Sequence, residues 1–351
     1  MKMELKLSAL ALFSVIVITA CGGGGGDTSP AIVTGIYPAS ITVAPSGKFA
    51  YAANWGSNDI SVYTINATTG AFTTGTAAAA GTKPASVAVD PSEKFVYAAN
   101  WGSNNISVYT IDPATGVLTA GTAVAAGTNP YSVTVDPSGR FVYAANSGSN
   151  TISVYTIDPT NGALTAGMAV VAGTSPNSIA VDLSGKFAYV ANLDSNDISV
   201  YTIDATTGAL TAGTAVAAGT NPSSVAVDPS GKFVYAANWG SNSISVYTIN
   251  AATGALTAGT AVAAGTSPDS IAVDPSGKFA YAANWDSNNI SVYTINAATG
   301  ALTAGTAVAA GTNPSSVAVD PSGKFVYVAN ETNSTISVYT INAATGALAL
   351  Q

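Results

Sequence analysis

The chain has 351 residues, a net charge of −8 from 18 acidic and 10 basic side chains, one cysteine and no histidine. The acidic balance excludes binding to phosphate backbones through a basic surface, one cysteine excludes an internal disulfide, and the missing histidine excludes Ser-His-Asp and Cys-His catalysis. Only 8% of the side chains are charged, while 48% are hydrophobic, so the chain can bury a large core.

Residues 1–20 differ in kind from the rest. Lys2 and Lys6 give a positive start, and residues 7–18 form an apolar stretch short of a bilayer span, which reads as a signal peptide. It ends in Ile18-Thr19-Ala20-Cys21, which resembles the lipobox of bacterial lipoproteins. That resemblance implies cleavage before Cys21, lipidation of Cys21, and an extracytoplasmic protein held to a membrane by its lipid, with the outer membrane favoured if the source is Gram-negative. Residues 21–29, with five glycines after the cysteine, read as a flexible tether and not as a phosphate cradle, since no strand leads into them and no helix follows.

From residue 30 one unit repeats. Prolines 38, 84, 130, 176, 222, 268 and 314 recur every 46 residues, and residues 30–351 span seven units. A fixed period of this length signals a solenoid, propeller or array. Each unit predicts four strands, typified by SVAVD, KFVYAAN, SISVYTI and ALTAGTAV, separated by Asp-Pro-Ser-Gly, Asn-x-Gly-Ser-Asn and Ala-Thr-Gly turns. Four strands and seven units predict an all-β, seven-bladed propeller of antiparallel blades. The last unit stops inside its fourth strand, so residues 30–37 are expected to complete that strand and close the ring by pairing the two chain ends. Tyrosines at two repeat positions and phenylalanine at a third are expected in the core.

The YVAN and YAAN runs, each followed by ISVYTI and TGAL, resemble the YVTN repeat of lactonase-like seven-bladed propellers, a family with 6-phosphogluconolactonase and muconate-cycloisomerase relatives, and of surface-layer proteins. The resemblance covers residues 30–351. It implies the fold, and lactone chemistry in the enzyme members, but a fold does not carry an activity by itself.

The residues lean away from catalysis. Arg140 occupies the turn position that Lys48, Lys94, Lys186, Lys232, Lys278 and Lys324 hold in other copies, and no acid–base set stands out. The turn aspartates supply one carboxylate each, too few for a metal loop, so no metal and no cofactor are expected.

Differences among the copies locate a candidate face. They concentrate beside the opening proline, giving Lys83, Tyr131, Asn177 and Asp269, and in the turn after the second strand, giving Trp55, Trp101, Trp239, Trp285, Asp286 and Glu331. Both connections fall on one side of the ring, around the channel mouth. With Cys21 as the lipidation site, the expected function is a non-catalytic binding or scaffolding module at the cell envelope, recognising a glycan or an envelope protein. A lactonase-like hydrolase and a self-assembling surface-layer protein are the alternatives.

Overall fold

The computed structural model describes residues 32–351. The expected leader, Cys21 and the tether lie outside the described residues. The remainder is all β, in seven antiparallel sheets of the same plan.

In the fifth blade, Pro222–Val227 lies innermost, Phe233–Asn238 pairs with it, and Ser243–Ile249 pairs with Phe233–Asn238. The fourth strand is two pieces, Leu256–Ala258 and Val262–Ala263, both paired with Ser243–Ile249. The sequence reading expected one continuous run there. Between the pieces the chain turns at Gly259, whose N–H donates to the Val246 carbonyl at 2.7 Å. A short, broken outer strand offers a poor template for pairing with another sheet. In the last blade the two outer pieces come from opposite chain ends, Leu348–Leu350 and Ile32–Val33.

Apolar side chains fill the spaces between blades. Phe233, Tyr235, Ile244 and Val246 of the fifth blade pack with Ile271, Ala280, Ala282 and Tyr293 of the sixth, and an equivalent cluster lies at every neighbouring pair. The second strand, FVYAAN, is buried along its whole length, because one face meets each neighbouring blade. The tyrosines also tie blades together by their hydroxyls. Tyr189 donates to the Gly254 carbonyl at 3.1 Å and Tyr247 to the Ala217 carbonyl at 2.9 Å. Gly254 sits at φ 72° and a Cβ there would run into Phe187, so this turn position requires glycine twice over. At the seam of blades seven and one the pattern lapses: among the described residues the buried hydroxyls of Tyr63 and Tyr327 have no partners, and Phe72 stacks between their rings at 4.8 and 4.5 Å.

The Asp-Pro-Ser-Gly turns form as expected. Asp228 accepts from the N–H groups of Ser230, Lys232 and Phe233 at 3.0, 2.8 and 2.7 Å, and also from the Ser230 hydroxyl. Three copies depart from this motif: the fourth has Leu183 in place of the proline, and the other two departures are linked. The first blade has Ala44 in place of the aspartate, and the second has Glu93 in place of glycine, at φ 56°. The Glu93 carboxylate accepts from the Ser46 N–H, the donor that Ala44 leaves unserved. An acid from the neighbouring turn thus replaces the missing one, at the cost of a left-handed, non-glycine backbone.

Candidate functional site

The innermost strands meet around a central channel. Within each, register shifts between the opening proline and the second residue after it, so that Pro222 opposes Asn238, Ser224 opposes Ala237 and Ser223 opposes nothing. Each bulge residue is therefore freed from the ladder, a device that re-aims side chains beside sites. The residue before the proline is left-handed in every blade, including Lys83 at φ 54° and Ser267 at φ 55°. Its N–H is held by an asparagine of the preceding blade, as in Lys83 to Asn58 Oδ1 at 2.7 Å, except in the first blade, where Tyr37 donates to Ser334 Oγ at 3.3 Å. The left-handed residue, the proline and the bulge together carry the variable residue into the channel mouth.

Tyr131, Asn177 and Asp269 are bulge residues, and they line one shallow cavity of about 100 Å³ with Ser223 and Ser315. The serines that follow them are already committed. Ser224 Oγ accepts from Ile271 N, Ser270 from Val317 N and Ser316 from Ile41 N, each at 3.2 Å, and the other blades continue this belt of hydrogen bonds around the channel. These hydroxyls brace the inner strands by accepting backbone N–H groups of the next blade. Asn177 Nδ2 donates to the Ser223 carbonyl at 3.1 Å, which ties it to the next blade. Ser223 and Ser315 donate to the carbonyls of Pro268 and Pro38 in the next blades at 2.8 and 2.7 Å.

Asp269 is the exceptional member. Desolvation in the channel, reinforced by the Glu331 carboxylate, pushes its carboxyl up to about 7. Such a group is part protonated and part ionised at neutral pH, the condition for giving and taking a proton in one cycle. Burial first, then the nearby Asp269 and Glu331 charges, push the Tyr131 hydroxyl upward from its ordinary value. Tyr131 therefore remains a proton-bearing donor throughout the neutral range.

The tryptophan turns form two stations on the rim. Trp55 and Trp101 lie 5.2 Å apart, and Lys83 Nζ stands 5.4 and 5.2 Å from their rings, a cation–π contact that caps the pair. Trp239 and Trp285 lie 5.4 Å apart at 43°, and the Trp285 indole N–H donates to Glu331 at 2.9 Å. All four indoles are half-buried. Asp286 accepts from the Ser267 hydroxyl at 2.6 Å and is thus tied to its own rim. The channel mouth therefore unites Tyr131, Asn177 and Asp269, with Glu331 and Trp285 next to them, while Lys83, Trp55 and Trp101 form a separate group. Sequence comparison found the positions but missed the pairing of Tyr131 with Asp269, three blades apart. Their shared repeat position was the available signal.

A family model described as "Lactonase, 7-bladed beta-propeller" matches residues 26–135, 122–223, 211–319 and 303–351. Among solved structures, the fold is similar to a protein of Bacteroides uniformis provisionally described as a 6-phosphogluconolactonase, with TM-score 0.78, 23% identity, and 92% of this chain and 94% of that chain covered. It is also similar to a periplasmic gluconolactonase of Pseudomonas aeruginosa, with TM-score 0.75, 19% identity, and 91% and 94% coverage. A hydrazine synthase chain of Kuenenia stuttgartiensis reaches TM-score 0.72 at 22% identity, covering 92% of this chain and 100% of that one, so likeness at this level speaks for the fold alone. No protein with a curated description matches the sequence.

The family match overturns the expectation of a non-catalytic binding or scaffolding module. The expectation rested on the missing histidine, the single arginine in a turn and the lack of an evident acid–base set. Burial of a carboxyl supplies another group that titrates near neutrality.

Proposed function

Because the chain belongs to the lactonase family of seven-bladed β-propellers, we propose that it hydrolyses a sugar lactone at the channel mouth, with Asp269 as the acid–base group and Tyr131 as the oxyanion donor. One observation carries this reading: a carboxyl at about 7 shares the channel cavity with a phenol that stays protonated. Ionised Asp269 takes a proton from water as the water oxygen bonds to the lactone carbonyl carbon and an electron pair moves onto the carbonyl oxygen. Tyr131 donates a hydrogen bond to that developing oxyanion. As the carbonyl re-forms, the bond to the ring oxygen breaks, and Asp269 returns its proton to the departing alkoxide. The product is the open hydroxy acid.

The charge of the mouth favours a lactone without a phosphate. Asp269 and Glu331 face the substrate, and the cation on this rim, Lys83, is engaged by two indole rings. Arg140 is remote from it, donating to the carbonyls of Ala205 and Thr206 in a turn on the opposite side.

The test is acid release from an unphosphorylated aldonolactone, measured above spontaneous hydrolysis. Asp269→Asn is expected to lower kcat/KM by about 100-fold or more, and Tyr131→Phe by about tenfold to 100-fold. Turnover indifferent to both substitutions would refute the assignment.

We also propose that the protein is an extracytoplasmic lipoprotein acylated at Cys21, supported by the leader and its terminal Ile18-Thr19-Ala20-Cys21. Labelled palmitate should enter the native chain in cells and fail to enter Cys21→Ser; incorporation into both would contradict it.

A further inference from the structure

We infer that the Trp239–Trp285 pair is a subsite for a second sugar ring, so that the preferred substrate is an aldonolactone carrying a further sugar. The inference rests on the lactonase reading for the chemistry, but its geometry stands apart from it. The two rim stations are built alike and finished differently. Lys83 lies over both rings of Trp55 and Trp101, so that platform is already covered by a side chain of the protein itself. No cation lies over Trp239 and Trp285 among the described residues. There the neighbouring acid, Glu331, accepts from the Trp285 indole N–H and fixes the ring by its edge, with Trp239 as its ring neighbour.

The second fixture of that platform is also in place. Asn313 Nδ2 donates to the Trp285 carbonyl at 3.1 Å, and the Thr332 hydroxyl donates to Asn313 Oδ1 at 2.6 Å. Trp285, held by its edge and its backbone, and the half-buried Trp239 beside it present an apolar surface edged by carboxylate and amide groups. That combination suits a pyranose ring, whose C–H face stacks on indole while its hydroxyls meet Glu331 and Asp286. Anionic bases and phosphates fit poorly beside two carboxylates.

Continuity with the reaction centre sets the length of the substrate. Trp285 and Asp269 belong to the same blade, and Glu331, the acid that accepts from Trp285, is the one whose charge acts on Asp269. A lactone ring at Asp269 would therefore direct its non-reacting end along the line from Glu331 to Trp285 and Trp239.

The experiment compares kcat/KM for a single-ring aldonolactone and for the same lactone carrying a second hexose, in the native protein and in Trp239→Ala, Trp239→Phe and Trp101→Ala. In parallel, indole fluorescence is titrated with the corresponding two-ring alditol, which is neutral and has no lactone to open. The native protein is expected to prefer the two-ring lactone by about tenfold. Trp239→Ala should bring the ratio close to one, Trp239→Phe should retain part of it by keeping a ring, and Trp101→Ala should leave it in place. Turnover of both lactones at equal efficiency would overturn the subsite and leave the lactonase reading standing. Absence of turnover together with binding that is lost in Trp239→Ala would do the reverse. Absence of both would overturn both.

Discussion

The two faces of the ring are made from the same repeat and differ in what they tolerate. On the turn face, the Asp-Pro-Ser-Gly loops are near copies, and each aspartate spends its carboxylate on its own loop's N–H groups. On the mouth face, the residue projected into the channel is Ala, Tyr, Asn, Ser or Asp with the backbone unchanged. The left-handed residue, proline and bulge hold each main chain in place whatever the side chain. The turn face thus spends its polar groups on stability, and the mouth face leaves some of them unspent for chemistry.

The largest break in this comparison is expected at Asp269. Its replacement by asparagine should abolish most hydrolysis while leaving the fold intact, since the carboxyl supports no loop. The converse substitution on the turn face, Asp228→Ala, strands three buried or part-buried N–H groups. It should cost about 2–3 kcal/mol in denaturant unfolding with hydrolysis per folded molecule preserved. Equal stability losses for Asp269→Asn and Asp228→Ala would erase the distinction between the faces.

A subtler contrast concerns pH. Asp269 is raised in the folded state to about 7, so it holds its proton after the unfolded chain has lost it. Its contribution to stability is fully present below the ordinary carboxylate range and is lost as pH rises toward 7. Asp269→Asn removes that loss. Its melting temperature should exceed the native value by about 2–6 °C at pH 8 and match it near pH 3.5; a constant offset across pH would show that burial does not perturb the group.

The smallest effect probes the one place where two turns cooperate. Ala44→Asp should restore the standard loop and stabilise by about 1 kcal/mol. Glu93→Gly should change little alone, because relief of the left-handed backbone offsets the lost bond to Ser46. In the Ala44→Asp background it should stabilise by about 1 kcal/mol. Additive effects of the two substitutions would mean that Glu93 is not substituting for the missing aspartate.

Much of the fold was legible because its signals repeat. The 46-residue period, the turn aspartates and the periodic tyrosines all read correctly, and Tyr235 and Tyr247 are buried as expected. The broken outer strand was not legible, since ALTAGTAV carries β-forming residues on both sides of its glycine. The bulge was hidden for a related reason: alternation along PSSVAV gives no register near the proline. The site was half legible. Differences among copies singled out Asp269, Tyr131 and Glu331, but the approach of Tyr131 to Asp269 depends on ring curvature, and the acidity of Asp269 depends on desolvation by strands far away in sequence.

If the channel makes Asp269 an acid–base group, the pH dependence of kcat/KM for lactone hydrolysis reports its titration. The native protein should show an inflection near pH 7 that moves lower in Glu331→Gln, where the repelling charge is gone. An inflection in the ordinary carboxylate range, or one unmoved by Glu331→Gln, would contradict the account.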